Sequence, residues 1–141
     1  MDLKAKKLVS EAKLPTRAHA DDAGLDLYSV EECVLQPGER RAVKTGIAMA
    51  IPTGYVGLIW DKSGLAAKSG LKTMGGVIDA AYRGEIRVIV ANLSQEPYRV
   101  EKGSKISQIL IQKVELLQVC EVDSLDDTIR GEGGFGSTGS R

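Results

Sequence analysis

The sequence predicts an all-β domain, a barrel or sandwich of short strands carrying a single short helix. Turn signals recur at short intervals: QPGE at 36–39, PTG at 52–54, YRGE at 82–85, SQEP at 94–97 and EKGS at 101–104. Between them lie β-rich runs of strand length, some alternating and some continuously apolar. Only SGLAAKSG (63–70) has helical character, and its glycines confine it to about two turns.

Taken in order, AGLDLYS (23–29) is a strand with Leu25 and Leu27 on one side and Asp26 on the other. RRAVKTGIAMAI (40–51) and YVGLIW (55–60) are strands either side of the PTG turn. Lys62, Ser63 and Gly64 stand at the entrance of the helix. MGGVIDAAYRGEIRV (74–88) has the look of a β-hairpin, with Asp79 near the end of one strand and Tyr82, Arg83 and Gly84 in the turn. EIRVIVANL (85–93) follows. KGSKISQILI (102–111) opens a last strand with Lys102, Lys105 and Gln108, within a β-rich run ISQILIQKVELLQV (106–119). There is no repeat, linker or composition shift before Thr128, so one domain, 1–129, is expected with a flexible C-terminal tail, 130–141.

Aromatic residues make up 4% of the chain, so the core is expected to be Val, Ile, Leu and Ala. EIRVIVANL and ISQILIQ are apolar on both faces for much of their length, and such strands need a second covering layer. Self-association would supply one, and a homo-oligomer is expected.

Composition narrows the function. Nineteen basic and nineteen acidic residues cancel, so no global field draws the chain to nucleic acid or anionic lipid. Two isolated cysteines, Cys33 and Cys120, show no disulfide or metal spacing, and a cytoplasmic location is expected. A single histidine, His19, argues against His-based metal sites and against Ser-His or Cys-His catalysis. No apolar stretch approaches the roughly 18 residues of a membrane span, and MDLKAKKLVS has no signal-peptide core.

The tail RGEGGFGSTGSR concentrates the informative residues. From Arg130 to Gly139 it holds five of the sixteen glycines, the only Phe (Phe135), and the pair Ser137-Thr138. Glycines let successive N–H groups converge on an anion, while Arg130 and the hydroxyls add donors for phosphate oxygens. Phe135 offers a ring for a nucleobase. The plainer reading is a disordered Gly/Ser end, but a linker has no need of Phe or Arg; the order of parts suits a flap closing over a nucleotide polyphosphate. At the helix entrance, Ser63 is either an ordinary N-cap or, with Lys62 and Gly64, a phosphate contact. Asp26 is either a solvent-facing residue on an amphipathic strand or a site residue. Gln108, within an apolar run, needs a partner.

Five segments in this order, AGLDLYS, DKSGLAAK, GGVIDAAYRGE, GSKISQ and RGEGGFGSTG, resemble the five motifs of the homotrimeric deoxyuridine triphosphate nucleotidohydrolases, the dUTPases. They span Ala23 to Gly139. The resemblance implies a jelly-roll-like (β-clip) subunit and a homotrimer with three active sites where subunits meet. It also implies hydrolysis of dUTP to dUMP and pyrophosphate with Mg2+ held by the triphosphate and water rather than by a protein metal site. That reaction keeps uracil out of DNA and supplies dUMP for thymidylate synthesis.

Residue by residue, the resemblance makes Asp79 the catalytic group that activates water and holds the deoxyribose 3′-hydroxyl. Tyr82 lies under the sugar and excludes a ribose 2′-hydroxyl. The segment from Gly76 through Val77 and Ile78 to Arg87 reads the uracil edge with backbone groups, Arg87 by its main chain. Ser63, Gly64 and Gln108 hold the α- and β-phosphates with Lys62. Arg130, Ser137 and Thr138 take the γ-phosphate within the glycine turn at Gly136, and Phe135 stacks on the base. Asp26, the second catalytic residue, orders water or basic partners near the phosphates. The chain departs from the family's Pro-Arg-Ser-Gly, which here reads Asp61-Lys62-Ser63-Gly64: lysine keeps the charge without the planar fork, and Asp61 stands ready to pair with it in the empty site. Two other readings are a dCTP deaminase of the same superfamily and a non-catalytic nucleotide-binding protein on the same fold.

Overall fold

A computed structural model describes residues 1–141 as ten strands and one helix. The strands are β1 (Lys4–Lys7), β2 (Leu25–Tyr28), β3 (Cys33–Leu35), β4 (Arg40–Ala50), β5 (Tyr55–Trp60), β6 (Leu71–Met74), β7 (Val77–Ile78), β8 (Glu85–Asn92), β9 (Tyr98–Val100) and β10 (Lys105–Lys113). The helix, α1 (Ser63–Ser69), stops at Gly70, whose left-handed backbone (φ 65°) donates its N–H back to Ala66. Two four-stranded sheets, in the orders β1-β4-β8-β6 and β2-β10-β5-β7, are joined by a two-stranded sheet, β3-β9. Every pairing is antiparallel. No helix is long and apolar enough to cross a membrane.

The core lies between the sheets and is aliphatic, as the composition requires. Val43, Ile47, Ile86, Val88 and Val90 from one sheet pack with Leu27, Ile59, Ile106 and Ile109 from the other, and Leu35 and Val100 close one edge. Each branched side chain buried here contributes about 1.5–3 kcal/mol, so the sandwich closes without aromatic bulk.

Three expectations need correction. The 74–88 segment is not a paired hairpin: β7 pairs with β5 in one sheet and β8 with β4 and β6 in the other. The turn sits earlier, where the Tyr82 N–H donates to the Asp79 carbonyl at 3.1 Å, and the chain then crosses between sheets through Arg83 and Gly84. Second, the last strand ends at Lys113. The Val114 N–H donates to Gly54, and beyond it Leu116, Leu117 and Val119 are exposed, because no neighbouring strand reaches them. Third, β8 is apolar on both faces only in part. Ile86, Val88 and Val90 point into the core while Arg87 and Ile89 point outward, leaving Ile89 and its cross-strand neighbour Met74 exposed.

β4 carries an irregularity that later supports the site. Between Lys44 and Ala48 the ladder to β8 moves only from Arg87 to Glu85. The extra residues bulge around Gly46, at φ +67°, where the Gly46 N–H donates to the Glu85 carboxylate at 2.9 Å and the Thr45 hydroxyl donates to the Ile86 carbonyl at 2.5 Å. A Cβ at position 46 would lie 2.9 Å from the Ala12 Cβ. Gly46→Ala is therefore expected to lower stability by at least about 1–2 kcal/mol from the left-handed backbone alone. Thermal or urea unfolding checks this, and an unchanged midpoint would show that the bulge relaxes freely.

Candidate active site

The helix entrance and strands β2 and β10 converge on one carboxylate. Asp26 lies on β2 with its backbone bonded to Thr16 on one side and in register with Gln108 of β10 on the other. Its side chain is only 4% exposed, so the solvent-facing reading fails. Lys62 Nζ donates to Oδ1 at 2.5 Å, and Lys105 Nζ lies 2.9 Å from Oδ2, though off the direction of a hydrogen bond. Burial pushes the Asp26 carboxyl up, but the Lys62 hydrogen bond and the close ammonium groups of Lys62 and Lys105 outweigh it and hold the group below the usual carboxylate range. The same contact raises Lys105.

Asp61 does not pair with Lys62. Its Oδ1 accepts from the Thr73 N–H at 2.6 Å and the Thr73 hydroxyl at 2.8 Å, and its Oδ2 accepts from Lys72 at 2.7 Å. Burial raises this carboxyl and those three donors more than offset it. The side chain therefore ties the end of β5 to β6, and its direction away from the helix leaves Lys62 to Asp26. The Asp61 carbonyl accepts from Gln108 Nε2 at 2.9 Å, which is the partner Gln108 required. Gln108 lies flat against Gly24, where any Cβ would collide with its amide oxygen. Lys62, not Ser63, is the N-cap of α1, and no side chain caps the helix, so the exposed Ser63 and Gly64 present their N–H groups without a capping partner.

A second group of predicted residues lines a groove of about 270 Å³: Val77, Ile78, Asp79, Tyr82 and Arg87, with Glu85 and Ile89. β7 is the outer strand of its sheet, so one row of its backbone groups has no strand partner. Gly76 precedes it and accepts the Ile59 N–H at 2.8 Å. Asp79 is exposed and its side chain makes no hydrogen bond within the chain. The Tyr82 hydroxyl donates to the Glu85 carbonyl at 2.9 Å, fixing the ring beside Gly84. Arg87 Nε approaches Glu85 at 3.3 Å, so its side chain turns back along its own strand.

The tail stands apart from both groups. Its hydrogen bonds are local: Arg130 donates to the Gly133 carbonyl at 2.7 Å, and the Ser137 N–H donates to Gly134 at 3.1 Å. Phe135, at φ 44°, is fully exposed, and Gly136, Ser137 and Thr138 are exposed with it. The groove beside Asp79 includes none of Lys62, Ser63, Gly64, Gln108 or the tail residues. One subunit thus brings together Asp26, Lys62 and Gln108, and separately Asp79 and Tyr82, and leaves the tail on its own. The resemblance gave no role to Lys105 or Glu85 and the wrong partner to Asp61, all of which support the candidate site; a charged side chain beside a motif residue was the only signal available for the first two.

Comparison with known proteins is uniform. The family model described as dUTPase matches residues 10–139. A deoxyuridine 5′-triphosphate nucleotidohydrolase of Corynebacterium glutamicum is 51% identical, covering 98% of this chain and 97% of the relative. One of Clostridium kluyveri is 47% identical over 99% of both. Among solved structures, the dUTPase of Staphylococcus bacteriophage 80alpha with dUPNHPP superposes at a TM-score of 0.93 with 33% identity, covering 98% of each chain. The dUTPase of phage phi11 of S. aureus, described as coordinating a structural Mg(II) ion, superposes at 0.83 with 29% identity, covering 88% of this chain and 98% of that one.

Proposed function

Because the chain belongs to the dUTPase family and hydrolyses dUTP to dUMP, we propose that it works as a homotrimer in which each site is completed by parts that a single subunit keeps apart. The observation that carries this reading is the separation of the Asp79 groove, the Asp26–Lys62–Gln108 cluster and the tail within one chain. The paired exposed residues Met74 and Ile89, with Leu93, supply apolar surface for association.

Formation of dUMP places the broken bond between the α- and β-phosphates, with pyrophosphate leaving. Asp79 accepts the proton of the attacking water. It is exposed beside the groove, whereas Asp26 is a poorer base because Lys62 and Lys105 hold its carboxyl low. Asp79 also takes the 3′-hydroxyl, and the Tyr82 ring, braced on Glu85, lies where a ribose 2′-hydroxyl would have to fit. The open edge of β7 reads uracil. That base presents acceptor, donor, acceptor where cytosine presents acceptor, acceptor, donor, and fixed backbone groups cannot satisfy both.

Ser63, Gly64, Lys62 and the second N–H of Gln108 take the α- and β-phosphates. Arg130, Ser137, Thr138 and the turn at Gly136 close on the γ-phosphate, with Phe135 over the base. The carboxylates fit a magnesium ion carried on the triphosphate: Asp26 and Asp61 are each occupied by lysines, and Asp79 alone is no cage. Bound there, the ion neutralises phosphate oxygens as charge builds on the leaving pyrophosphate.

Mixed assemblies test the shared site. Asp79→Asn protein and protein truncated after Ile129, unfolded and refolded together, are expected to release pyrophosphate from dUTP far faster than either parent, with dCTP as the control. No recovery from verified mixed oligomers would place Asp79 and the tail of a site in one subunit and overturn the reading.

A further inference from the structure

Lys105 has no assigned role, yet it is one of two lysines on a single buried carboxylate. Asp26 is 4% exposed, Lys62 30% and Lys105 47%. One carboxylate neutralises one ammonium. With Lys62 alone, the cluster would carry no net charge, and turning Lys62 toward a phosphate would strand a buried anion, a strongly unfavourable state. With both lysines present the cluster carries one net positive charge. Resting on the reading of Lys62 as a triphosphate ligand, we infer that Lys105 is a positioning residue: it neutralises Asp26 from the far oxygen and so frees Lys62 for the polyphosphate.

The geometry supports this division. The two ammonium groups take different oxygens of the carboxylate, so one stays when the other turns away. Lys105 begins β10 at an irregularity in the β2 ladder, in register with Tyr28, whereas Lys62 lies outside the strands, past the end of β5, as the N-cap of α1, next to Ser63 and Gly64. Lys62 is therefore the lysine placed to serve the ligand.

Steady-state kinetics with dUTP on the full-length protein test the inference. Lys105→Gln is expected to raise KM roughly tenfold or more, the usual weight of a charge-assisted bond, while kcat changes by less than about twofold. Lys105→Arg keeps the counter-ion and is expected to retain a near-normal KM. Adding Asp26→Asn to Lys105→Gln removes the buried charge together with its counter-ion, and KM is expected to return to within about threefold of Asp26→Asn alone. An unchanged KM in Lys105→Gln overturns the inference. So does a double variant that remains much weaker than Asp26→Asn, because Lys105 would then be a phosphate ligand in its own right. Should Lys105→Gln alone fail to fold, Lys105→Met removes the same charge while keeping the stem, and an unchanged KM in it overturns the inference equally. Lys62→Ala, measured in parallel, separates the two layers: an unchanged KM there removes Lys62 from the ligand set, whereas a raised KM beside a normal Lys105→Gln removes only the role of Lys105.

Discussion

Asp79→Asn is expected to fold, assemble and bind dUTP normally while turnover falls by about 10²–10⁴-fold, the range for loss of a general base. The fold is indifferent to the change because the Asp79 side chain bonds to nothing in the chain; its structural contribution is the backbone carbonyl that closes the turn with Tyr82. The amide keeps the size and the hydrogen bond to a sugar hydroxyl but cannot take a proton. Single-turnover hydrolysis beside equilibrium binding of a non-hydrolysable dUTP analogue makes the measurement. Near-normal turnover would move the base elsewhere, and Asp26, the other candidate, would first have to give up Lys62 and Lys105.

Truncation after Ile129 is expected to leave oligomeric state and melting temperature nearly unchanged and to remove most dUTP hydrolysis. The first half follows from the hydrogen bonds of residues 130–141, which reach no further into the chain than Thr128 and leave Phe135 fully in solvent. The second follows from the donors lost: Arg130, Ser137, Thr138 and the glycine turn. Phe135→Ala alone is expected to cost about 1–3 kcal/mol, the worth of one base–aromatic stack, seen mainly in turnover if closure completes the site. A truncated protein as fast as the full chain would return the tail to a plain disordered end.

The sequence made some of this legible and hid the rest for a physical reason. Strands with long apolar runs, such as Arg40–Ala50 and Tyr55–Trp60, announce themselves because burial demands the pattern. So does the helix, bounded by Gly70. The three-residue strands β3 and β9 are too short to carry a period. Sheet membership was hidden as well: nothing local in GGVIDAAYRGE says that its two strands part company, since the partners lie on β4, β5 and β6.

The site followed the same rule. Asp79, Ser63, Gln108 and the tail were readable as motifs. The ion pairs were not, because Asp26 meets Lys62 and Lys105 only through the antiparallel ladders that set β2 and β5 on either side of β10. Asp61 faced a choice between the adjacent Lys62 and the distant Thr73, and the fold decided it by offering an N–H and a hydroxyl at once. Adjacency in sequence was the misleading cue.

The stretch from Glu115 to Ile129 leaves the packed body after Val114 and makes no hydrogen bond back to it. It is a tether of fifteen residues, and fully extended it spans about 50 Å, several times the roughly 14 Å radius of gyration of a domain this size. The tail it carries is thus never at bulk concentration. Its local concentration around any site within reach is set by chain length, in the millimolar range typical of short flexible linkers. In the proposed oligomer, closure of the tail over the triphosphate would then be a first-order event that dilution of the enzyme does not weaken.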